Sequence, residues 1–186
     1  MTEAAPSAWT PWTAAEWRTR SLVGPDGRTM DLMQALPQGD APPGGWPLLF
    51  ALDGDRFFAA LAGAAAALSH RTDKTGVAPM AVAALAHRPT AGAPEDQRAR
   101  DFTRSACPDP GLLRPSGGGD AFQRLIADRV LPMLAQGAPL NLARATLFGH
   151  SLGGLFVLET LRADPTLFAR WVAVSPSLWW LSLIHI

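Results

Sequence analysis

The chain has very little cysteine and no apolar run long enough to span a membrane. Cys107 is the only cysteine, which excludes an internal disulfide and a cluster of cysteine ligands. We interpret it as a loop thiol without a role. The apolar run at residues 59–68 contains Gly63 and is too short to cross a bilayer, so we expect a buried helix there. Residues 1–17 hold no basic stretch followed by an apolar core, so we expect no secretory signal. These absences predict a soluble, cytoplasmic protein.

An excess of either charge is also lacking. The chain has 16 basic and 16 acidic residues, and its formal net charge is zero. Nucleic acids and anionic membranes are therefore not expected as partners, because both require a concentrated positive field. Hydrophobic residues make up 48% and charged residues 17% of the 186 residues. That balance is typical of one globular domain with a sizeable core.

Apolar segments and turn residues alternate along the chain after a loose lead-in at residues 1–16. The predicted strands are a hairpin of residues 16–23 and 28–36 around Gly24-Pro25-Asp26-Gly27, and segments 47–52, 77–85, 145–148 and 171–174. The predicted helices are residues 56–68, 121–135 and 152–162. Residues 87–120 are rich in proline, glycine and arginine and predict a long loop of functional type. The alternation favours an α/β fold, a mostly parallel sheet with helices on both faces.

Gly149-His150-Ser151-Leu152-Gly153 fits the pattern G-x-S-x-G and lies between a predicted strand and a predicted helix. In that context the motif predicts the nucleophile elbow of an α/β-hydrolase fold, with Ser151 as the nucleophile. The serine occupies a strained turn, and its hydroxyl stands at a helix N-terminus whose free N–H groups stabilise an anion. The alternative is a glycine-rich turn with an idle serine. His150 is interpreted as a packing residue, because the base in this fold follows the nucleophile from a distant loop.

Two backbone N–H groups are candidates for an oxyanion hole. One belongs to Leu152, directly after the nucleophile. The other is expected from the turn after an earlier strand, where Asp53-Gly54-Asp55 lies, and we assign it to Asp55. A plain turn that ends the strand is the alternative reading of these three residues.

Several motifs in series resemble the siderophore esterases of the enterochelin-esterase and salmochelin-hydrolase type, within the esterase D-like group of α/β hydrolases. They span about residues 19–180 in matching order and spacing. The motifs are Leu52-Asp53-Gly54-Asp55 with Phe57-Phe58, Arg100-Asp101-Phe102-Thr103, Gly118-Gly119-Asp120-Ala121-Phe122, the run from Thr146 to Phe156, and Ser175-Pro176-Ser177-Leu178-Trp179-Trp180.

The resemblance implies ester hydrolysis through an acyl-serine intermediate, with a catecholate siderophore tri-lactone, ferric or iron-free, as a candidate substrate. It transfers the oxyanion role to Asp55 and Leu152. No cofactor and no metal site are implied, since any iron would arrive with the substrate. Arg98, Arg100 and Arg104 are candidates for contact with an anionic catecholate. The alternative is that Arg100 and Asp101 brace each other to hold the loop.

The last six residues, 181–186, differ in composition from the rest. Ile126 is the only isoleucine before them, and Lys74 is the only lysine against fifteen arginines, a bias that indicates a GC-rich coding sequence. Leu-Ser-Leu-Ile-His-Ile is also the translation of CTGTCTCTTATACACATC, a widely used transposase adapter. We therefore interpret residues 181–186 as an artefact, and residues 1–180 as the N-terminal portion of a single α/β-hydrolase domain.

Truncation would remove the catalytic acid and histidine, which lie beyond the Ser-Pro-Ser-x-Trp-Trp motif in the family that the chain resembles. His185 is therefore not assigned as the base, and the fragment is expected to be inactive, because a nucleophilic serine requires a base and an acid to orient it.

Two alternatives stay open for the function of the full protein. One is a general carboxylesterase, thioesterase or acyltransferase, and the other is a non-catalytic binding protein of the same fold.

Overall fold

A computed structural model describes residues 17–88, 97–106 and 115–181. The strands are β1 (Trp17–Val23), β2 (Thr29–Ala35), β3 (Trp46–Ala51), β4 (Ala81–His87), β5 (Leu140–His150) and β6 (Arg170–Val174). The helices are α1 (Gly54–Ser69), α2 (Thr72–Thr75), α3 (Gln97–Asp101), α4 (Gly119–Leu125), α5 (Leu131–Gly137) and α6 (Leu152–Ala163). A π-helical turn (Ile126–Val130) joins α4 to α5, and a 3₁₀ turn (Leu178–Leu181) follows β6.

The six strands form one sheet in the order β1-β2-β4-β3-β5-β6. β1 and β2 pair antiparallel, as do β2 and β4, whereas β4, β3, β5 and β6 run parallel. The predicted hairpin is confirmed: Val23 pairs with Thr29, and Gly27 takes the positive φ of 81° that its turn requires. The prediction of a mostly parallel sheet is confirmed as well. Its parallel strands place all their carboxyl ends, including those of β3 and β5, at one edge.

Alternate side chains of the central strands pack into two separate hydrophobic cores, one on each face of the sheet. In β3, Leu48 and Phe50 belong to the larger core, which includes buried residues of α4, α5 and α6. Leu49 and Ala51 face the other way, toward a smaller core that contains Phe58 of α1. This period of two is what a strand buried on both faces requires. Helices therefore cover both faces of the sheet, as the sequence predicted.

Two predictions about individual elements are wrong in detail. The helix across residues 59–68 is not buried all round: α1 buries one stripe that includes Phe58, Ala62 and Ala65, while Leu68 is 44% exposed. Strand β4 begins at Ala81 rather than at residue 77, because Pro79 has no N–H to donate to a neighbouring strand.

Two further differences concern the middle of the chain. The predicted loop at residues 87–120 contains α3, a short helix whose pattern is too brief for periodicity to reveal. The single predicted helix at residues 121–135 is interrupted by the π-helical turn. Pro132, the second residue of α5, cannot donate a hydrogen bond to the carbonyl one turn earlier, which explains the local widening. Cys107 and residues 1–16 lie outside the described residues.

Strand β6 pairs with β5 and forms one edge of the described sheet. Val172 is 40% and Val174 38% exposed there, and Trp179 of the turn that follows is 38% exposed. The opposite edge is formed by β1 of the hairpin. In the ranges that the structure describes, no helix is long and apolar enough to span a membrane.

We expect the 186-residue chain, expressed as written, to associate or to precipitate. An edge strand with apolar side chains such as Val172 and Val174 offers unpaired backbone groups and apolar surface to a second copy. Light scattering after size-exclusion chromatography measures this directly. A monodisperse monomer that melts cooperatively would contradict the expectation.

Candidate active site

Ser151 lies at the junction of β5 and α6, at the carboxyl edge of the parallel strands. Its backbone has φ 57° and ψ −118°, a conformation that non-glycine residues rarely adopt. Hydrogen bonds hold this strained turn on both sides. The Ser151 N–H donates to the carbonyl of Val174, and its carbonyl accepts from the N–H groups of Leu155 and Ser177, each at 3.0 Å. The turn is thus tied to the end of β6 as well as to α6.

Two glycines of this turn have little room for a side chain. A Cβ on Gly149 would lie 2.3 Å from the carbonyl oxygen of Gly153, a contact that only backbone movement could relieve. A Cβ on Gly154 would lie 3.0 Å from the carbonyl oxygen of Val174. The glycines of the motif therefore allow β5, α6 and the end of β6 to meet around Ser151.

The hydroxyl of Ser177 lies 3.0 Å from the hydroxyl of Ser151. Ser177 is only 5% exposed, and its N–H also donates to the Ser151 carbonyl. It is therefore a buried polar neighbour of the nucleophile candidate. Sequence reasoning included Ser177 in a family motif but gave it no role. The sequence feature that could have indicated a role is the short Ser-Pro-Ser segment directly after a predicted strand. In the structure, Ser175 has a positive φ of 43°, and the chain turns there toward Ser151.

The two proposed oxyanion donors lie at neighbouring helix N-termini. Leu152 is the first residue of α6 and Asp55 the second residue of α1, so neither N–H has a partner within its helix. The two turns are held side by side, since the Leu52 N–H donates to the Phe148 carbonyl at 3.0 Å. The Asp55 carboxylate is more than half exposed. The oxyanion role is assigned to the backbone N–H of Asp55 and not to its side chain.

An ion pair that sequence reasoning missed connects these two turns. Asp53 is 2% exposed and has φ 54°. Its carboxylate accepts two hydrogen bonds from the Arg98 guanidinium, at 2.5 and 2.8 Å. The same guanidinium donates to the carbonyl of His150 at 3.1 Å. Arg98 belongs to α3 and lies 45 residues from Asp53 in the sequence. At that separation, no local pattern in the sequence predicts the pair.

The structure places the side chain of His150 against an aromatic ring. Its imidazole lies 5.7 Å from the ring centre of Phe57 in the first turn of α1. Phe57 also packs edge-on against Phe148. In the described part of the chain, His87 is hydrogen-bonded to Asp101, and no histidine is hydrogen-bonded to Ser151. The interpretation of His150 as a packing residue remains a prediction that agrees with this contact.

The three arginines predicted to meet an anionic substrate are all engaged within the chain. Arg98 pairs with Asp53, as described. Arg100 donates to Asp101 at 2.6 and 2.8 Å and also contacts Asp26, so the bracing alternative describes its geometry. Burial raises the pKa of the Asp26 carboxyl, but hydrogen bonds from Arg100 and Arg28 outweigh it and hold that pKa below its ordinary value. Substrate binding by these arginines therefore stays a prediction, with none of the three presenting an unpaired guanidinium.

Arg104 belongs to a polar cluster between the segment after α3, α4 and α6. It pairs with Asp120 and donates to Gln123 on α4. Burial lowers the pKa of the Arg104 guanidinium, and burial raises the pKa of the Glu159 carboxyl on α6. Glu159 keeps one oxygen, and Arg104 its Nε, without a hydrogen-bond partner in the protein. These contacts, with a longer one of 3.5 Å from Arg104 to the Thr160 hydroxyl on α6, hold the segment after α3 against α4 and α6.

No group of three or more His, Cys, Asp or Glu side chains suited to a metal ion occurs within residues 17–88, 97–106 and 115–181. The elbow itself holds a serine hydroxyl at the N-terminus of α6, where the first backbone N–H groups have no partner within the helix. Such an arrangement can stabilise the oxyanion that forms when a nucleophile adds to an acyl carbon.

The chain is similar to several known proteins. A family model described as "Putative esterase" matches residues 26–183. The ferri-bacillibactin esterase BesA of Bacillus subtilis is 33% identical over 162 residues, which cover 83% of this chain and 56% of that protein. The apo-salmochelin esterase of Escherichia coli is 31% identical over 150 residues, which cover 77% of this chain and 45% of that protein. The chain thus spans about half the length of the curated relatives that it matches.

Solved structures give the same result for the fold. The BES protein from Bacillus cereus superposes with a TM-score of 0.85 at 27% identity, covering 96% of this chain and 67% of that one. The enterobactin hydrolase IroE, in complex with DFP, gives a TM-score of 0.76 at 30% identity, covering 90% of this chain and 66% of that one. The predicted α/β-hydrolase fold is confirmed.

Replacing Gly149 by alanine in the protein produced from its whole gene should destabilise the fold by about 3 kcal/mol, because the new Cβ would overlap the Gly153 carbonyl. The matched control is Gly63→Ala, an exposed position inside α1 where a Cβ meets no atom within 4 Å. This control should gain up to about 1 kcal/mol from helix propensity. Denaturant unfolding measures both. Equal stability of the two variants would contradict the tight turn.

Proposed function

Because this chain belongs to the esterase family that matches residues 26–183, we propose that the protein of which it forms part is a serine hydrolase acting on ester bonds. The observation that carries the proposal is the backbone of Ser151, held at φ 57° between a strand and a helix N-terminus. A strained serine at that junction has its hydroxyl clear of the sheet, which is the position a nucleophile requires. The named esterases among the relatives support the same assignment.

In the proposed reaction, the Ser151 oxygen adds to the ester carbonyl carbon, and a base accepts the hydroxyl proton. The N–H groups of Leu152 and Asp55 donate to the negatively charged oxygen of the tetrahedral intermediate. The bond from carbon to the alcohol oxygen then breaks, and the alcohol leaves with a proton. Water hydrolyses the acyl-serine by the same steps, which releases a carboxylic acid and restores Ser151.

The base and its orienting acid are assigned to sequence beyond residue 180. Two observations support this assignment. The chain covers 56% and 45% of the two curated relatives, and no histidine among the described residues is hydrogen-bonded to Ser151. On this proposal, residues 1–180 supply the N-terminal portion of one hydrolase domain. An Asp or Glu followed by a His in the continuing gene is the order that this fold requires.

The substrate proposed for the full protein is a siderophore ester, with iron bound to the substrate rather than to the protein. The support is the agreement of relatives named for ferri-bacillibactin, apo-salmochelin and triacetylfusarinine C. The alternative is a general carboxylesterase, thioesterase or acyltransferase, since one fold accepts many acyl groups. The proposal also includes the cytoplasm as the compartment, where a chain with one cysteine has no need of disulfides.

The test is hydrolysis of enterobactin, iron-free and ferric, by the protein produced from its whole gene, followed by mass spectrometry of the products. We expect ring opening of at least one form and a loss of about 10⁴-fold or more in Ser151→Ala. The matched control is Ser69→Ala at the exposed end of α1, which should keep full activity.

A synthetic ester such as p-nitrophenyl butyrate separates the two parts of the proposal. Hydrolysis of this ester without hydrolysis of enterobactin would reject the siderophore substrate and keep the serine esterase. Activity retained in Ser151→Ala would reject Ser151 as the nucleophile. No activity on any ester would favour the alternative of a binding protein.

A further inference from the structure

Arg98 contacts two separate turns and an aromatic ring. Its guanidinium, with a side chain 17% exposed, donates to both carboxylate oxygens of Asp53 and to the carbonyl of His150. The face of the guanidinium lies 5.3 Å from the ring centre of Phe102, which favours one orientation of the group. One rigid cation is therefore fixed to two different turns.

Each of those turns carries one of the two proposed oxyanion donors. Asp53 immediately precedes α1, and the donor N–H belongs to Asp55, two residues later. His150 ends β5, and the donor N–H belongs to Leu152, also two residues later. The Asp53 carboxylate also lies close to the first turn of α6, since a Cβ on Gly153 would approach it to 3.4 Å. Movement of Arg98 would thus allow both donors to shift relative to each other.

The conformation of Asp53 shows why a fixed cation is needed there. Asp53 has a left-handed backbone, and its side chain makes no capping bond to α1, although capping is the usual role of an aspartate at a helix start. Its carboxylate is instead committed to Arg98 and is almost fully buried. Leaving this carboxylate buried without its partner would be costly, so it would turn toward solvent, and the turn that carries Asp55 would move with it.

We infer that Arg98 is a positioning residue that sets the spacing between the N–H groups of Asp55 and Leu152, rather than a residue that binds substrate. The inference rests on the proposed function, since an oxyanion hole has a purpose only in acyl transfer. Arg98 raises the rate through these two N–H groups and makes no contact with the reacting atoms.

The test is Arg98→Lys in the protein produced from its whole gene. Lysine keeps the positive charge near Asp53 but lacks the planar fork that reaches two carboxylate oxygens and a carbonyl in fixed directions. We expect kcat to fall about 10- to 100-fold with KM within about twofold of the wild-type value, because donors displaced by a fraction of an ångström lose transition-state stabilisation. The Ki of phenylboronic acid, which forms a tetrahedral adduct with the serine, should rise by a similar factor.

The matched control is Arg18→Lys. Arg18 also bridges a side-chain oxygen, that of Gln34, and a backbone carbonyl, that of Gly137, each at 2.8 Å, but it does so on the β1 edge strand. This variant should leave kcat, KM and Ki unchanged. If Arg98→Lys does not fold, Asp53→Asn removes the charge of the partner without removing its size, and the same pattern is expected in kcat and Ki.

A change in KM with kcat intact would overturn the inference, because that is the result expected if Arg98 binds an anionic substrate. Wild-type kcat and Ki in Arg98→Lys would overturn it too. Hydrogen–deuterium exchange supplies a readout that does not depend on activity: segments 52–58 and 150–156 should both exchange faster in Arg98→Lys, and segment 81–87 should not change. If the wild-type protein hydrolyses no ester, the proposed function fails, and unchanged exchange in the two segments would then separately overturn the positioning role.

Discussion

Close contact between backbone atoms at Gly149 and Gly153 is the constraint on which the site depends. The carbonyl of Gly153 occupies the space in which a side chain of Gly149 would lie, so β5 can turn directly into α6 within a single residue. That residue is Ser151, which takes the strained conformation because its neighbours leave no other path for the chain. The strain is offset by hydrogen bonds to β6 and to Ser177. A polar side chain is thereby held at a helix N-terminus with little freedom to move.

A second constraint is electrostatic and acts across the site. The parallel sheet brings the ends of β3 and β5 to one edge, but parallel pairing alone does not fix the turns that follow them. Arg98 joins those turns, through Asp53 on one side and the His150 carbonyl on the other. The anchoring of α3 extends this arrangement: Asp101 contacts His87 at the end of β4, and Phe102 packs in the aromatic cluster with Phe122 and Phe156. A segment that looked irregular in the sequence therefore organises the edge of the sheet.

Much of the fold could be predicted from the sequence because the relevant signals are local. Apolar runs predicted β3 and β5, turn chemistry predicted the hairpin around Gly27, and helical spacing predicted α6. The motif around Ser151 predicted a strand-to-helix turn, and the resemblance to siderophore esterases is confirmed by the family and relatives that the chain matches. The strands, the hairpin and the helix depend on neighbours within a few residues, so periodicity and turn preference are sufficient to find them.

The contacts that the sequence did not predict are long-range. Arg98 was interpreted as a candidate anion-binding residue, because an arginine in a loop gives no sign of which carboxylate it meets. Its partner Asp53 was interpreted as part of a turn that supplies backbone N–H groups, and the side chain was overlooked. Ser177 lies 26 residues from Ser151, and only the turn after β6 brings the two hydroxyls together. Each of these pairings is fixed by the topology of the sheet rather than by local spacing.

The most direct measurement is labelling of the protein produced from its whole gene with a fluorophosphonate, followed by peptide mapping of the modified residue. The account predicts one phosphonylated residue, Ser151, and no labelling in Ser151→Ala. Labelling of Ser177, whose hydroxyl lies 3.0 Å away, would contradict the assignment of the nucleophile. An absence of labelling in the wild-type protein would contradict the presence of an activated serine at the elbow.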